Sequence, residues 1–153
     1  MPTSLRQKLG VKPGSRCILL QAPDHLCARF ELSLEESVKR LEGPFDYIHF
    51  FCTLQGELHA ALLRLKPHIR AGGMLWVSWP KAGQLSTDLS LKEVIRLAYD
   101  AGFVESKTIS IDPTWSAIKL TFPKSGKRYA NSYGSLPLAE GGGKTETKPE
   151  SAV

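Results

Sequence analysis

Residues 45–52 and 74–79 are two apolar runs of strand length with a stretch of helical periodicity between them, and few folds are open to such a chain. The run Phe45-Asp46-Tyr47-Ile48-His49-Phe50-Phe51-Cys52 is aromatic and β-branched, as a buried strand should be. From 53 to 69 the residues Leu54, Leu58, Ala61, Leu62, Leu65 and Ile69 recur at three-to-four spacing. That spacing predicts a long amphipathic helix, disturbed at Pro67 in its last turn and stopped by Gly72-Gly73. Strand, helix and strand in this order favour a mostly parallel sheet with helices packed on its faces.

The flanking segments repeat the alternation. Residues 4–10 predict a short lead-in helix stopped by Gly10, and Lys12-Pro13-Gly14 is a turn signal. Residues 16–21 are short and apolar on both faces, the pattern of a buried strand. A helix is expected over 24–30, with Asp24 as N-cap and Leu26, Cys27 and Phe30 on one side. Ser33-Leu34-Glu35-Glu36 has capping-box spacing, and Leu34, Val38 and Leu41 share a helical face. Residues 33–42 are therefore read as helix, with a short strand over 37–41 as the alternative. Residues 81–89 read as a polar loop. Ser90-Leu91-Lys92-Glu93 is a second capping box, opening a helix with Val94, Leu97, Ala98 and Ala101 inward and Gly102 at its end. Residues 103–111 and 115–122 alternate as strands around Asp112-Pro113-Thr114, a turn so short that the two must pair antiparallel.

The sum is a single α/β domain over residues 1–122. It is expected to be a three-layer sandwich whose mostly parallel sheet of about five strands ends in an antiparallel hairpin. Residues 123–153 offer little to bury and are expected to form a disordered tail. Gly143-Lys144-Thr145 is not a phosphate loop, because Leu138 stands where that motif needs a glycine and no strand precedes it.

Composition narrows the function classes. A chain of 153 residues is long enough for one sizeable core. It has no apolar run long enough to span a bilayer and no visible leader pattern, so a cytoplasmic, non-membrane protein is expected. The net charge of +5 falls to +3 on the body once Lys124, Lys127, Arg128, Lys144 and Lys148 are set against Glu140, Glu146 and Glu150. Without a basic helix or an aromatic platform interleaved with arginine, nucleic acid is not the expected partner. Cys17, Cys27 and Cys52 lack C-x-x-C spacing and His25, His49, His59 and His68 are scattered, so free thiols and no metal site are expected.

The second half resembles the closing half of a Rossmann-like S-adenosylmethionine-dependent methyltransferase. Phe45-Asp46-Tyr47-Ile48 resembles that family's fourth strand, and Leu65-Lys66-Pro67 through Gly72-Gly73-Met74-Leu75 its helix, two glycines and fifth strand. Ala101-Gly102-Phe103 and the terminal hairpin resemble its sixth and seventh strands. Residues 45–122 carry this likeness, which implies a truncated methyltransferase-like fold. The cofactor loop departs from the pattern. Where the family has a glycine-rich loop, this chain has Gln21-Ala22-Pro23-Asp24-His25, and the few residues from there to Phe45 leave little room for two further strand-helix units. Phe51-Cys52-Thr53-Leu54 stands where family members acting on amino groups carry Asp/Asn-Pro-Pro-aromatic. These departures imply no cofactor. The chain is also similar to a bacterial family, domain of unknown function 3052, over residues 4–122. The shared pieces include Lys12-Pro13-Gly14, Gly43-Pro44-Phe45-Asp46, Trp76-Val77-Ser78-Trp79-Pro80-Lys81, Thr87-Asp88-Leu89 and Asp112 with Trp115-Ser116 and Lys119-Leu120.

Ligands of open parallel sheets sit beyond the carboxyl ends of the strands. Three segments are expected to converge there: 21–25, Cys52-Thr53, and Ser78-Trp79-Pro80-Lys81 with the loop to Asp88. A tryptophan held by Pro80 beside the ammonium of Lys81 would suit a small, flat, anionic ligand such as a nucleotide. The structural alternative has Trp79 plugging the end of the core and Lys81 paired with Asp88. Asp112, Trp115, Ser116 and Lys119 form a second cluster, in which Asp112 is expected to cap the hairpin turn. Cys52 as a nucleophile beside His49 or His59 is set against a buried thiol, with His49 expected on the opposite face. The reading taken is a non-catalytic binding or regulatory module on a degenerate methyltransferase-like fold. The alternatives are a divergent S-adenosylmethionine-dependent methyltransferase or nucleotide-binding enzyme, and a protein-interaction subunit or dimer pairing through the edge left by missing strands.

Overall fold

The short helix α1 (Leu5–Leu9) opens the fold, and its ends are set by local chemistry. The Gln7 N–H donates to Ser4 Oγ at 3.1 Å and the Ser4 N–H to Gln7 Oε1 at 3.0 Å, a reciprocal cap. Gly10, at φ +79°, supplies the left-handed residue that ends the turn. The computed structural model describes residues 4–124, 129–131 and 134–136. After α1 come β1 (Cys17–Leu20), α2 (Asp24–Cys27) with a 3-10 turn over Ala28–Phe30, and β2 (Phe45–Phe51). Then follow α3 (Gln55–Leu65), β3 (Ile69–Pro80), an irregular turn segment Lys81–Ser86, and α4 (Leu91–Asp100). The strands β4 (Val104–Ser110) and β5 (Trp115–Thr121) form a hairpin, and β6 (Tyr129–Asn131) pairs antiparallel with β7 (Gly134–Leu136). The rest of the expected tail lies outside the described residues.

The main sheet has five strands in the order β1-β2-β3-β5-β4. β1, β2 and β3 are parallel, and β5 runs antiparallel to both β3 and β4. Alternation along the strands divides the core into two layers. One face gathers Ile48, Phe50, Leu75, Val77, Trp79 and Ile118 with Leu58 and Leu62 of α3 and Val94 and Ala98 of α4. The other gathers Tyr47, Phe51, Trp76, Trp115 and Ala117 with Leu5 and Leu9 of α1, Leu26 of α2 and Phe30. The expected three-layer α/β sandwich is therefore formed.

Several local expectations are corrected. The helix after β2 ends at Leu65 and tightens into a 3-10 turn over Lys66–His68, because Pro67 has no N–H to continue the ladder. Gly72-Gly73 is not the helix stop but part of β3, where the register against β2 shifts between Phe45 and Tyr47. A Cβ on Gly73 would sit 2.8 Å from the Arg70 carbonyl oxygen and 2.9 Å from that of Phe45, so the strands close up only over glycine. Asp24 is the first helical residue rather than the N-cap, which is Pro23. Ser90 does not cap the α4 backbone; its hydroxyl donates to the Glu93 carboxylate.

Residues 33–42 do not form a helix. The capping box closes, the Glu36 N–H donating to Ser33 Oγ at 3.1 Å and the Ser33 N–H to Glu36 Oε1 at 2.9 Å. The turn then stops because the chain is drawn onto the outer edge of β1. Cys17 N–H donates to the Glu36 carbonyl at 2.9 Å, and Val38 N–H to the Cys17 carbonyl at 2.8 Å. Arg6 grips the Glu36 carboxylate with both guanidinium nitrogens at 2.8 Å, and the Gly14 N–H adds a third bond at 2.8 Å. Leu34, which a helix would have buried, is 94% exposed. Of the strand alternative only a parallel bridge between Cys17 and Ser37 is formed.

Candidate functional site

The carboxyl ends of β1, β2 and β3 lie along one edge, and the β4–β5 turn joins them there. Pro80 stands opposite Trp115, and the Lys81 N–H donates to the Thr114 carbonyl at 2.8 Å. Asp112 caps the turn, its Oδ1 accepting from the Thr114 and Trp115 N–H groups at 2.8 and 2.7 Å. Its Oδ2 lies 3.2 Å from His25 Nε2. Burial alone would raise the Asp112 carboxyl, but hydrogen bonds from Trp115, His25 and Thr114 hold it below its ordinary value. Arg29 adds a bond to the Ile111 carbonyl at 3.1 Å. The 21–25 loop and the hairpin turn are thereby tied together, a proximity that sequence spacing did not fix.

The other candidates divide by face. Trp79 is 4% exposed and packs in the core on the α3–α4 side. Cys52 shares that layer at 3% exposure, and burial pushes its thiol up to about 12, so it is not poised as a nucleophile. Lys81 Nζ donates to Ser110 Oγ rather than pairing with Asp88. Asp88 instead accepts the Gln55 N–H at 2.8 Å, holding the first turn of α3, while its own N–H and the Thr87 hydroxyl donate to the Thr53 carbonyl. Trp115 is buried against Phe51, ring centroids 5.2 Å apart. Ser116 pairs across β5 with Trp79 and Ser110, and Lys119 stands between Trp76 and Lys107, farther from the edge.

Ser78 points away from Trp79, into the opposite layer. Its Oγ lies 2.7 Å from His49 Nε2, and His49 Nδ1 lies 2.7 Å from the Tyr47 hydroxyl. Spacing alone gave no sign of this hydroxyl–imidazole–hydroxyl chain. His49 is stacked on Phe51 with centroids 4.5 Å apart, and burial lowers it to about 3, so it is neutral across the physiological range. Its side chain and that of Cys52 occupy different faces.

At the first strand end, Gln21 takes φ +61°, a left-handed conformation in which glycine costs least. Its Nε2 donates to the Phe51 carbonyl at 2.7 Å, so the side chain spans the ends of β1 and β2. The signal available in the sequence was a non-glycine residue directly after β1. Beside it a cleft of about 430 Å³ opens against the outer edge of β1. Leu19, Gln21 and Ala22 line one side, Glu31 and Leu32 the end of the 3-10 turn, and Ser37, Val38 and Lys39 the segment laid along β1. Glu31 and Lys39 were not among the sequence candidates, because only the unexpected course of 33–39 brings them to one cleft. Among the described residues no group of three or more His, Cys, Asp or Glu side chains could hold a metal ion, and no helix is long and apolar enough to cross a membrane.

The solved structures to which the chain is similar include methyltransferases. The ribosomal protein L11 methylase of Lactobacillus delbrueckii subsp. bulgaricus aligns with a TM-score of 0.55 at 13% identity, over 78% of this chain and 75% of the methylase. The glycopeptide N-methyltransferase MtfA aligns at 0.51 and 10% identity, over 76% of this chain and 87% of its own. LepI in complex with SAM reaches 0.49 at 17% identity, and the chain spans 39% of its length. No family model and no curated protein matches the sequence. The strand order and the alignments with the L11 methylase and MtfA together establish a Rossmann-like, methyltransferase-like α/β fold.

Proposed function

We propose that this chain is a non-catalytic binding or regulatory module on the methyltransferase-like fold. Its ligand is a small molecule bearing an anionic group, and it enters the cleft against β1 with Lys39 at its rim. The observation that carries the reading is Gln21. A cofactor lying across the ends of β1 and β2 needs bare backbone beneath it, and here a side chain hydrogen-bonded to the Phe51 carbonyl fills that place. Burial of Trp79 and Cys52 and the internal bonding of Lys81, Asp88 and Asp112 leave none of those side chains poised for chemistry.

The second reading, a divergent S-adenosylmethionine-dependent methyltransferase, is favoured by the fold alignments and by the left-handed turn kept at Gln21. Thermal unfolding of the full chain with S-adenosylmethionine and S-adenosylhomocysteine separates the two. A ligand at roughly 100 times its Kd adds about 2.7 kcal/mol, several degrees for a domain of this size. No shift for the wild type, with a shift gained by Gln21→Gly, is the result expected. A shift for the wild type with either compound moves the assignment to the transferase.

A further inference from the structure

We infer that the cleft against β1 selects a zwitterion, a free α-amino acid with an apolar side chain, an inference that rests on the cleft being the ligand site. Two residues of opposite charge line it from separate segments, Glu31 after the 3-10 turn and Lys39 on the segment beside β1. They form no ion pair with each other, since no Glu31–Lys39 contact falls within ion-pair distance among the described residues. Among the described residues Lys39 Nζ makes a long 3.4 Å bond to Ser37 Oγ. Leu19, Leu32 and Val38 supply apolar lining between them. A carboxylate near the ammonium, an ammonium near the carboxylate and an aliphatic body between is the complementary ligand.

Size and rigidity agree with that class. Clefts for small ligands run from roughly 300 to 1,000 Å³, and this one is near the lower end at about 430 Å³, fitting an amino acid better than a dinucleotide. Both charged segments are anchored by one guanidinium. Arg6 donates to the Glu31 carbonyl at 2.5 Å and to the Glu36 carboxylate, next to Ser37. Glu31 is held at φ +54°, a strained value for a residue with a side chain. The two residues thus sit on separate segments that one guanidinium ties together.

Cys27 lines the same cleft and is exposed, whereas Cys17 and Cys52 are buried, so alkylation of Cys27 reports occupancy. The full chain would be treated with iodoacetamide and followed by intact mass in the presence of L-leucine, L-methionine, 3-methylbutylamine or 4-methylpentanoate. The amino acids should slow Cys27 alkylation about tenfold when present at roughly ten times their Kd. The singly charged analogues should leave the rate unchanged at the same concentration. Lys39→Gln and Glu31→Gln should each abolish protection, read as the ratio of each variant's own alkylation rates with and without the amino acid, while retaining the wild-type circular dichroism. Equal protection by the singly charged analogues, or protection that survives both variants, overturns the inference. Protection by adenosine monophosphate or inorganic phosphate but by no amino acid overturns it while leaving the cleft as the ligand site. Protection by none of the compounds overturns the inference and the cleft assignment together.

Discussion

Acidification should destabilise this protein through a residue that never meets solvent. His49 is fully buried between the Tyr47 and Ser78 hydroxyls, and burial lowers its imidazole from 6.5 to about 3. In the unfolded chain it titrates near its ordinary value of about 6.5. Between these two values the unfolded state binds a proton that the native state refuses. Stability is therefore fully present above about pH 6.5 and falls as pH drops toward 3, by up to about 1.4 kcal/mol per unit. At pH 5 the loss is about 2 kcal/mol, and the unfolded-state value alone sets it as long as the native value lies well below 5. Against a total stability of roughly 5–15 kcal/mol this is a large fraction. The assay is urea unfolding of the wild type and His49→Gln between about pH 7.5 and 4.5, with a constant m-value as the two-state check. Glutamine keeps a hydrogen-bonding group between the hydroxyls but does not titrate. Carboxylates held low by hydrogen bonds, such as Glu36 and Asp112, also cost stability in acid, but they do so in both proteins and cancel in the difference. The wild type should lose about 2 kcal/mol more than the variant by pH 5. Parallel losses would refute the neutral buried imidazole.

Three further outcomes follow from the packing. Trp79→Ala empties a core position and should cost about 3–5 kcal/mol in urea unfolding, whereas a ligand-stacking indole at the surface would cost little. Gly73→Ala forces a Cβ against two carbonyl oxygens and should destabilise by about 1–3 kcal/mol or more. Gly72→Ala, with open space but φ +80°, should cost only about 1 kcal/mol, so equal thermal shifts for the pair would contradict the strand packing. Alkylation without ligand should modify Cys27 first, and Cys17 and Cys52, pushed up to about 11 and about 12 by burial, should react only on unfolding; peptide mass mapping checks the order.

Where the sequence was legible, the signal was local and apolar. The apolar runs within β2 and β3 and the alternation of β5 mark buried strands, and α3 and α4 bury the expected faces at Leu58, Leu62, Val94 and Ala98. Polar signals misled wherever a distant partner claimed the group. Ser33 and Glu36 do form their capping box, but the same carboxylate is held by Arg6, 30 residues away, and the chain after it pairs with Cys17. Asp88, a ligand-binding candidate with a pairing to Lys81 as the structural alternative, is taken up by Gln55 at the start of α3. Gln21 was legible as a missing glycine, yet its bond to the Phe51 carbonyl depends on the strand register. A pattern of residue types records which faces must be buried; it does not record which of several compatible partners a polar group will find.

The course of 31–39 shows how the shortened sheet solves a problem that its own truncation creates. With no full strand beyond it among the described residues, the backbone groups of β1 would form an open edge, which invites pairing with another chain. A whole strand-helix unit is not needed to blunt that edge: the Glu36 carbonyl and the Val38 N–H satisfy both backbone groups of Cys17, and the Arg6–Glu36 contact fixes the segment in place. The segment meets β1 only at its beginning, through the bridge between Cys17 and Ser37. Farther along, Lys39 and Leu19 line opposite parts of a cleft instead of pairing. Covering the edge and opening the cleft are therefore one structural event, and both depend on the same guanidinium. A chain that had lost its outer strands without gaining such a segment would have been left with an aggregation-prone edge and no cleft.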